Sequence, residues 1–344
     1  MVLARHQMGR NERMSDDDVT VVPAAWDYRN KKVVVTGATG LIGRNLVDRL
    51  LALGARLRTT SRREPPPDFP RDKVEHLVGD LADRSFAERA MDGMEGLFHL
   101  AGRRGSIGIQ RTQAATMLGE NLMICFNVLD AARRASVERI LYTSTVTVYP
   151  PMEIYREDLV WSGNPHPGDQ YAAWAKRMAE KFVEAQEIQY GSRNTAIVRP
   201  VNTFGPHDSF DPKTALVVPA LIGRALSGES PFVVWGDGSA VRDFLYVSDA
   251  VDGILLAFEK GIGKGAFNLG SGHGTAIRDL VTAVLRATGQ TAPVQWDTSK
   301  PSGEPRKVAD ITRAREILGF SPKIDLGTAI ARTVDWYRGN PHGR

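Results

Sequence analysis

Three glycines spaced three residues apart, in Thr36-Gly37-Ala38-Thr39-Gly40-Leu41-Ile42-Gly43-Arg44, are the first feature of this sequence that could do chemistry. A β-branched run, Val33 to Thr36, precedes them, and Leu41 to Leu53 follows with apolar residues at helical spacing. That context turns a glycine triplet into a phosphate cradle. Gly37 permits a tight turn, Gly40 lets backbone approach a pyrophosphate, and Gly43 lets helix and strand pack closely. The helix N-terminus, at Leu41 and Ile42, meets the negative charge. The segment reads as a dinucleotide site.

The choice of dinucleotide is made at the end of the second strand. An acid there would bond the ribose 2′-hydroxyl of NAD, whereas cations suit the 2′-phosphate of NADP. The sequence offers Arg58-Thr59-Thr60-Ser61-Arg62-Arg63, with no acid until Glu64. NADP(H) is the expected cofactor, contacted by Ser61, Arg62 and Arg63. Asp80 and Leu81, after a third strand, suit the adenine end, and Leu100, Ala101 and Gly102, after a fourth, suit backbone lining. His99 reads as a satisfied buried histidine rather than a catalyst.

Strand-like pieces that position these residues fall at Ala55 to Thr60, Val74 to Val78, Gly96 to Leu100, Arg139 to Thr143 and Ala196 to Arg199, with helical stretches between them. Such alternation requires right-handed crossovers and a parallel sheet. The fold expected is α/β, a doubly wound parallel sheet of the Rossmann type with a smaller C-terminal substrate lobe. Residues 1–30 read as a disordered leader, 31–200 as the NADP-binding domain, and 201–340 as mainly the lobe, with a return to the sheet near 243–258. After Pro206, Pro and Gly are frequent and isolated strands such as Phe232 to Trp235 appear.

Bulk composition narrows the function further. The 344 residues carry 44 Lys and Arg against 40 Asp and Glu, a net charge of +4, and no long basic run interleaved with aromatics, so no nucleic-acid partner is expected. The single cysteine, Cys125, lies in an apolar helical stretch and reads as a core residue. No metal site and no apolar run of the roughly 18 residues a bilayer requires is evident. A cytoplasmic enzyme that does not enter membranes is the expectation.

With the glycine loop, Asp80-Leu81, Thr143-Ser144-Thr145 and Lys176 in order, the chain resembles the extended short-chain dehydrogenase/reductases, the NAD-dependent epimerase/dehydratase family, from about residue 31 to 337. Within it, the similarity is greatest to the GDP-L-fucose synthases, through Glu120 to Ile124, Gly205 to Asp208, Trp235 to Gly238, Arg242 to Phe244 and Lys300 to Lys307. The resemblance implies that Thr145 orients a substrate carbonyl, that Lys176 holds the nicotinamide ribose, and that Pro200 borders the cofactor. It further implies a nucleotide-diphosphate sugar, GDP-linked by preference, held by Asn202, Val218, Arg224, Trp235, Arg242 and Arg306. A homodimer through two helices, within Leu118 to Ala132 and Trp174 to Gln189, is also implied.

Three departures qualify this. The family spaces its catalytic tyrosine four residues before the lysine, about 40° round a helix, whereas Tyr171 precedes Lys176 by five, about 140° round. The position four before is Ala172. Either Tyr171 reaches the site through an irregular turn, or the catalytic tyrosine is missing. Thr147 and Leu216 stand where fucose synthases place a cysteine and a histidine, and neither titrates near neutral pH. The expectation is NADPH-dependent reduction of a 4-keto sugar without 3,5-epimerisation. A nucleotide-sugar 4-epimerase and a catalytically silent NADP-binding protein are the alternatives. A 4,6-dehydratase is disfavoured by Val146-Thr147, where such enzymes carry Asp-Glu.

Overall fold

The computed structural model describes residues 26–103, 112–300 and 304–340. Strand β1 (Lys32–Thr36) is fully buried from Val33 onward, as its β-branched run requires, and helix α1 (Leu41–Ala52) buries Leu41, Gly43, Leu46, Val47 and Leu50 on one face. The chain continues through β2 (Arg56–Ser61), β3 (Glu75–Val78), α2 (Arg84–Met91), β4 (Gly96–His99), α3 (Ala114–Arg134), β5 (Arg139–Thr143), the short β6 (Ile154–Tyr155), α4 (Gln170–Tyr190) and β7 (Thr195–Pro200).

Seven strands form the main sheet in the order β12-β7-β5-β4-β1-β2-β3, where β12 is Ala266–Leu269, and every pair is parallel. Alternation along β1 divides the core. Val33 and Val35 join Leu46, Leu50, Ile254 and Phe258 on one side, while Val34 joins Phe86, Ile124, Val128 and Val183 on the other. Each such fully buried aliphatic contributes roughly 1.5–3 kcal/mol. The order reverses between β1 and β4, and ligands of open α/β sheets bind at the carboxyl ends of strands beside such a switch.

The expected strand boundaries hold within a residue or two, with two larger corrections elsewhere. Residues 1–25 lie outside the described residues, but the packed chain already begins before residue 31: Trp26 meets Phe258 edge-on at 5.5 Å, and Tyr28, 4% exposed, stacks on the same ring. The return to the sheet comes later than 243–258. That span forms β11 (Phe244–Tyr246) and most of helix α6 (Val247–Lys260), whose apolar residues recur at helical spacing, and only β12 rejoins the sheet.

The lobe has its own core, with Phe204, Leu221, Phe232, Leu280 and Ile330 contributed by β8 (Asn202–Phe204), α5 (Val217–Leu226), β9 (Phe232–Trp235), α7 (Ile277–Thr288) and α8 (Leu326–Gly339). A four-stranded sheet, ordered β13 (Thr275–Ala276), β10 (Val241–Arg242), β15 (Arg306–Ala309) and β6, stitches the lobe to the first half of the chain. No described helix is long and apolar enough to cross a membrane.

Candidate active site

The glycine loop is shaped by contact with the loop after β4. Gly37 has a φ of +67°, and a Cβ added there would lie 2.9 Å from the Cα of Ala101. A Cβ on Gly43 would lie 2.2 Å from the Gly37 carbonyl oxygen, whereas at Gly40 the same oxygen is 3.4 Å away. Thus Gly37 and Gly43 pack the loop, and Gly40 caps α1 without a side-chain hydrogen bond. Leu41 is buried and Ile42 half-buried beneath it. Thr36 binds the two loops together: its Oγ1 accepts from the amides of Leu100 and Ala101 at 3.2 Å and lies 2.8 Å from His99 Nδ1. Burial, aided by the charge of Lys176, pushes the His99 pKa down to about 3, so His99 is a neutral strut; only its Nδ1 is satisfied, since the buried Nε2 has no hydrogen-bond partner among the described residues, which corrects the expected satisfied histidine. This cradle, open at Gly40 and closed at Gly37 and Gly43, fits a dinucleotide pyrophosphate.

At the end of β2, the Ser61 hydroxyl donates to the Arg63 carbonyl at 2.5 Å and meets His76 Nε2 at 2.8 Å, while His76 Nδ1 meets Thr59 at 2.7 Å. Arg62 and Arg63 are exposed. Asp80 is exposed and folds its own turn by accepting from Ala82 N at 2.9 Å, and the Leu81 carbonyl accepts from Asn127. Asn121, given no role from sequence, pins the loop after Gly102. It is 2% exposed, its Oδ1 accepts from Arg103 N at 2.8 Å, and its Nδ2 donates to the carbonyls of Arg103 and Met117. An amide in an apolar helical stretch was the available signal.

Beyond the end of β5, Lys176 on α4 donates to the Thr143 carbonyl at 2.8 Å, and its ammonium would stand 3.6 Å from a Cβ added to Gly102. Burial holds its pKa below the ordinary lysine value. Thr145 is half-buried, accepting from Thr147 N and Thr147 Oγ1 at 3.3 Å. Pro200 is buried at the end of β7. Thr145, Lys176 and Gly102 are therefore brought to neighbouring strand ends.

Tyr171 is not brought to Lys176. The helix is regular from Gln170, with Ala173 N donating to the Asp169 carbonyl, so no bulge turns the phenol inward and it remains 41% exposed. Ala172 holds the position one turn below Lys176. Tyr149 is no substitute. It is 2% exposed, donates to Asn268 Oδ1 at 2.7 Å and accepts from Arg199 at 2.8 Å, in a buried network with Glu180 and Ser144. Cys125 is buried, its Sγ 3.6 Å from the Tyr142 hydroxyl.

On the lobe side, the expected substrate residues separate. Asn202 is exposed and donates to the Asp243 carbonyl at 3.0 Å. Trp235 ends β9 with 65% exposure, Lys300 lying 6.0 Å from its ring. Val218 is corrected to the lobe core, 2% exposed among Phe204 and Leu221. Arg224 is likewise committed internally, to Glu229 and the Val233 carbonyl, with Phe232 beneath it.

The ladder of β10 with β15 pairs Arg242 with Lys307 and Val241 with Arg306. Side chains alternate along a strand, so Arg242 shares a face with Lys307, and Arg306 faces the other way, beside Gly274. The expected pairing of Arg242 with Arg306 is corrected: the cation that shares the Arg242 face is Lys307. Arg242 donates to the Glu304 carbonyl at 2.7 Å, Lys307 lies 3.3 Å from the Glu304 carboxylate, and His166 Nε2 lies 3.2 Å from it. His166 also approaches Asp169, next to the start of α4, at 3.4 Å, so this face looks across to the cofactor domain.

Residues 33–270 match the NAD dependent epimerase/dehydratase family. The chain belongs to that family. Among its relatives, a probable GDP-L-fucose synthase 1 of Oryza sativa subsp. japonica is 32% identical over 317 residues, covering 89% of this chain and 92% of the relative. A dTDP-4-dehydro-6-deoxy-D-allose reductase of Streptomyces bikiniensis is 28% identical, covering 90% and 97%. The solved UDP-glucose 4-epimerase of Thermotoga maritima, with UDP-glucose, superposes with a TM-score of 0.79 at 27% identity, covering 90% and 99%. In this epimerase/dehydratase family member, the glycine cradle, Lys176 and the Arg242 face lie on the scaffold that these relatives share.

Proposed function

We propose that this family member is an NADPH-dependent reductase of a nucleotide-linked 4-keto sugar that leaves C3 and C5 untouched. The observation carrying the reading is the meeting of Lys176, Thr145 and Gly102 at the cradle with no acid or base at Thr147 or Leu216. Relatives named as a GDP-L-fucose synthase and a dTDP-4-dehydro-6-deoxy-D-allose reductase support a keto-sugar substrate. Arg62, with Arg63 beside it, supports the phosphorylated dinucleotide. GDP-linked sugars are the preferred class, with Trp235 offering a face to the base and Arg242 and Lys307 positive charge to the diphosphate.

When bound, NADPH supplies the hydride. The Lys176 ammonium binds the nicotinamide ribose and lowers the cost of negative charge nearby. The Thr145 hydroxyl donates to the substrate carbonyl and relays a proton onto the oxygen as the hydride arrives, with the Thr147 hydroxyl behind it in the same chain of donors. Without a phenol at position 172, this proton delivery is less efficient than the family's. The outer faces of α3 and α4, with Met123 half-exposed and Ile188 80% exposed, suit a homodimer contact.

Turnover of the keto sugar in deuterated water tests the reading. The reduced product should carry no deuterium at C3 or C5 beyond an enzyme-free control, and enrichment at either carbon would refute it.

A further inference from the structure

Glu120 on α3 carries guanidinium groups from two different strand ends. Arg103, next to the cofactor-lining Gly102, holds both carboxylate oxygens, at 2.8 and 3.0 Å, and Arg62, following β2, reaches Oε2 at 3.5 Å. The Arg62 contact is the loose one. Its side chain is 52% exposed, and it touches one oxygen only, whereas Arg103 is anchored a second time by Gln113 Oε1 at 2.8 Å. The cluster is no buried strut, since the Glu120 side chain is itself 34% exposed.

We propose that Glu120 is a specificity-determining residue, an internal anion beside Arg62 that repels a 2′-phosphate and thereby moderates the preference for a 2′-phosphorylated dinucleotide. The proposal rests on the NADP(H) reading above. A 2′-phosphate must take Arg62 from the carboxylate and then sit near a like charge, whereas a 2′-hydroxyl does neither. With both groups close to water, exchanging one exposed pair for another is nearly neutral, so the repulsion dominates, and its effect is of order tenfold. When Glu120 loses its charge, Arg103 is still held by Gln113 through its guanidinium and by Asn121 through its amide.

Calorimetric titration of NADP⁺ and NAD⁺ into the wild type, Glu120→Gln and Glu120→Ala tests this. Glu120→Gln keeps the side-chain volume and should tighten NADP⁺ about tenfold while moving NAD⁺ by less than about twofold. The gain should shrink at about 1 M salt and persist in the Arg62→Ala background, where the repulsion remains. A fall or no change in the NADP⁺ to NAD⁺ affinity ratio would overturn the proposal, making Glu120 a support for Arg62. If the wild type prefers NAD⁺, the cofactor reading fails by itself, and the shift in ratio on removing the charge still decides the role of Glu120.

Discussion

Lys176 Nζ lies 2.8 Å from the carbonyl oxygen of Thr143, so one ammonium both fastens α4 to the carboxyl end of β5 and stands beside Gly102, past the end of β4. Burial lowers its pKa, and only the protonated form can hold the ribose and stabilise charge. Activity should therefore fall as pH rises through the lowered value, below the ordinary lysine pKa of about 10.4. A profile of kcat/KM against pH shows this limb, and Lys176→Met should lose at least about 100-fold and the limb with it. An alkaline limb at the ordinary lysine value would count against the placement.

Ala172 and Tyr171 make opposite tests of the helix geometry. Tyr171→Phe should change kcat by less than about threefold, because the phenol lies about 140° round from Lys176. Ala172→Tyr puts a phenol one turn below the ammonium and should raise kcat by roughly 10- to 100-fold, a normal contribution of a positioned acid. Steady-state kinetics of the two variants decides. A collapse in Tyr171→Phe would show that the helix start rearranges on binding.

Gly43 has no room for a side chain, since a Cβ would meet the Gly37 carbonyl oxygen at 2.2 Å. Gly43→Ala should cost about 1–3 kcal/mol in denaturant unfolding, as overpacking does, and weaken NADPH binding. The matching change at Gly40 meets only a 3.4 Å contact, so it should spare stability and act mainly on cofactor affinity.

Arg242 and Lys307 share one face of their ladder, and Arg306 has the other. Replacing Arg242 or Lys307 by Ala should raise KM for the nucleotide sugar by about 10- to 100-fold through lost charge-assisted hydrogen bonds, with kcat little changed. Arg306→Ala should raise it by less than about threefold. Equal losses at Arg242 and Arg306 would contradict the register-based assignment.

The contrast between these sites explains what the sequence discloses. The glycine cradle is legible because strand, turn and helix follow one another without a break, and each glycine meets backbone a few residues away or in the loop after the adjoining strand. The face shared by Arg242 and Lys307 is not, because a one-residue slip between strands more than sixty positions apart reverses every side chain. Lys307, Glu304, His166 and Asp169 converge from separate segments whose spacing carries no period. Val218 and Arg224 look available in the sequence, but the apolar lobe core and Glu229 claim them. Tyr171 could be settled only once α4 was seen to be regular from its first turn.

The stoichiometry of NADPH consumption against reduced nucleotide sugar, with a GDP-linked 4-keto-6-deoxy sugar as substrate, tests the central claim most directly. One NADPH should disappear for each reduced sugar formed. Conversion of one nucleotide sugar into its C4 epimer with no net loss of NADPH would contradict the reductase reading and assign the crevice to epimerisation.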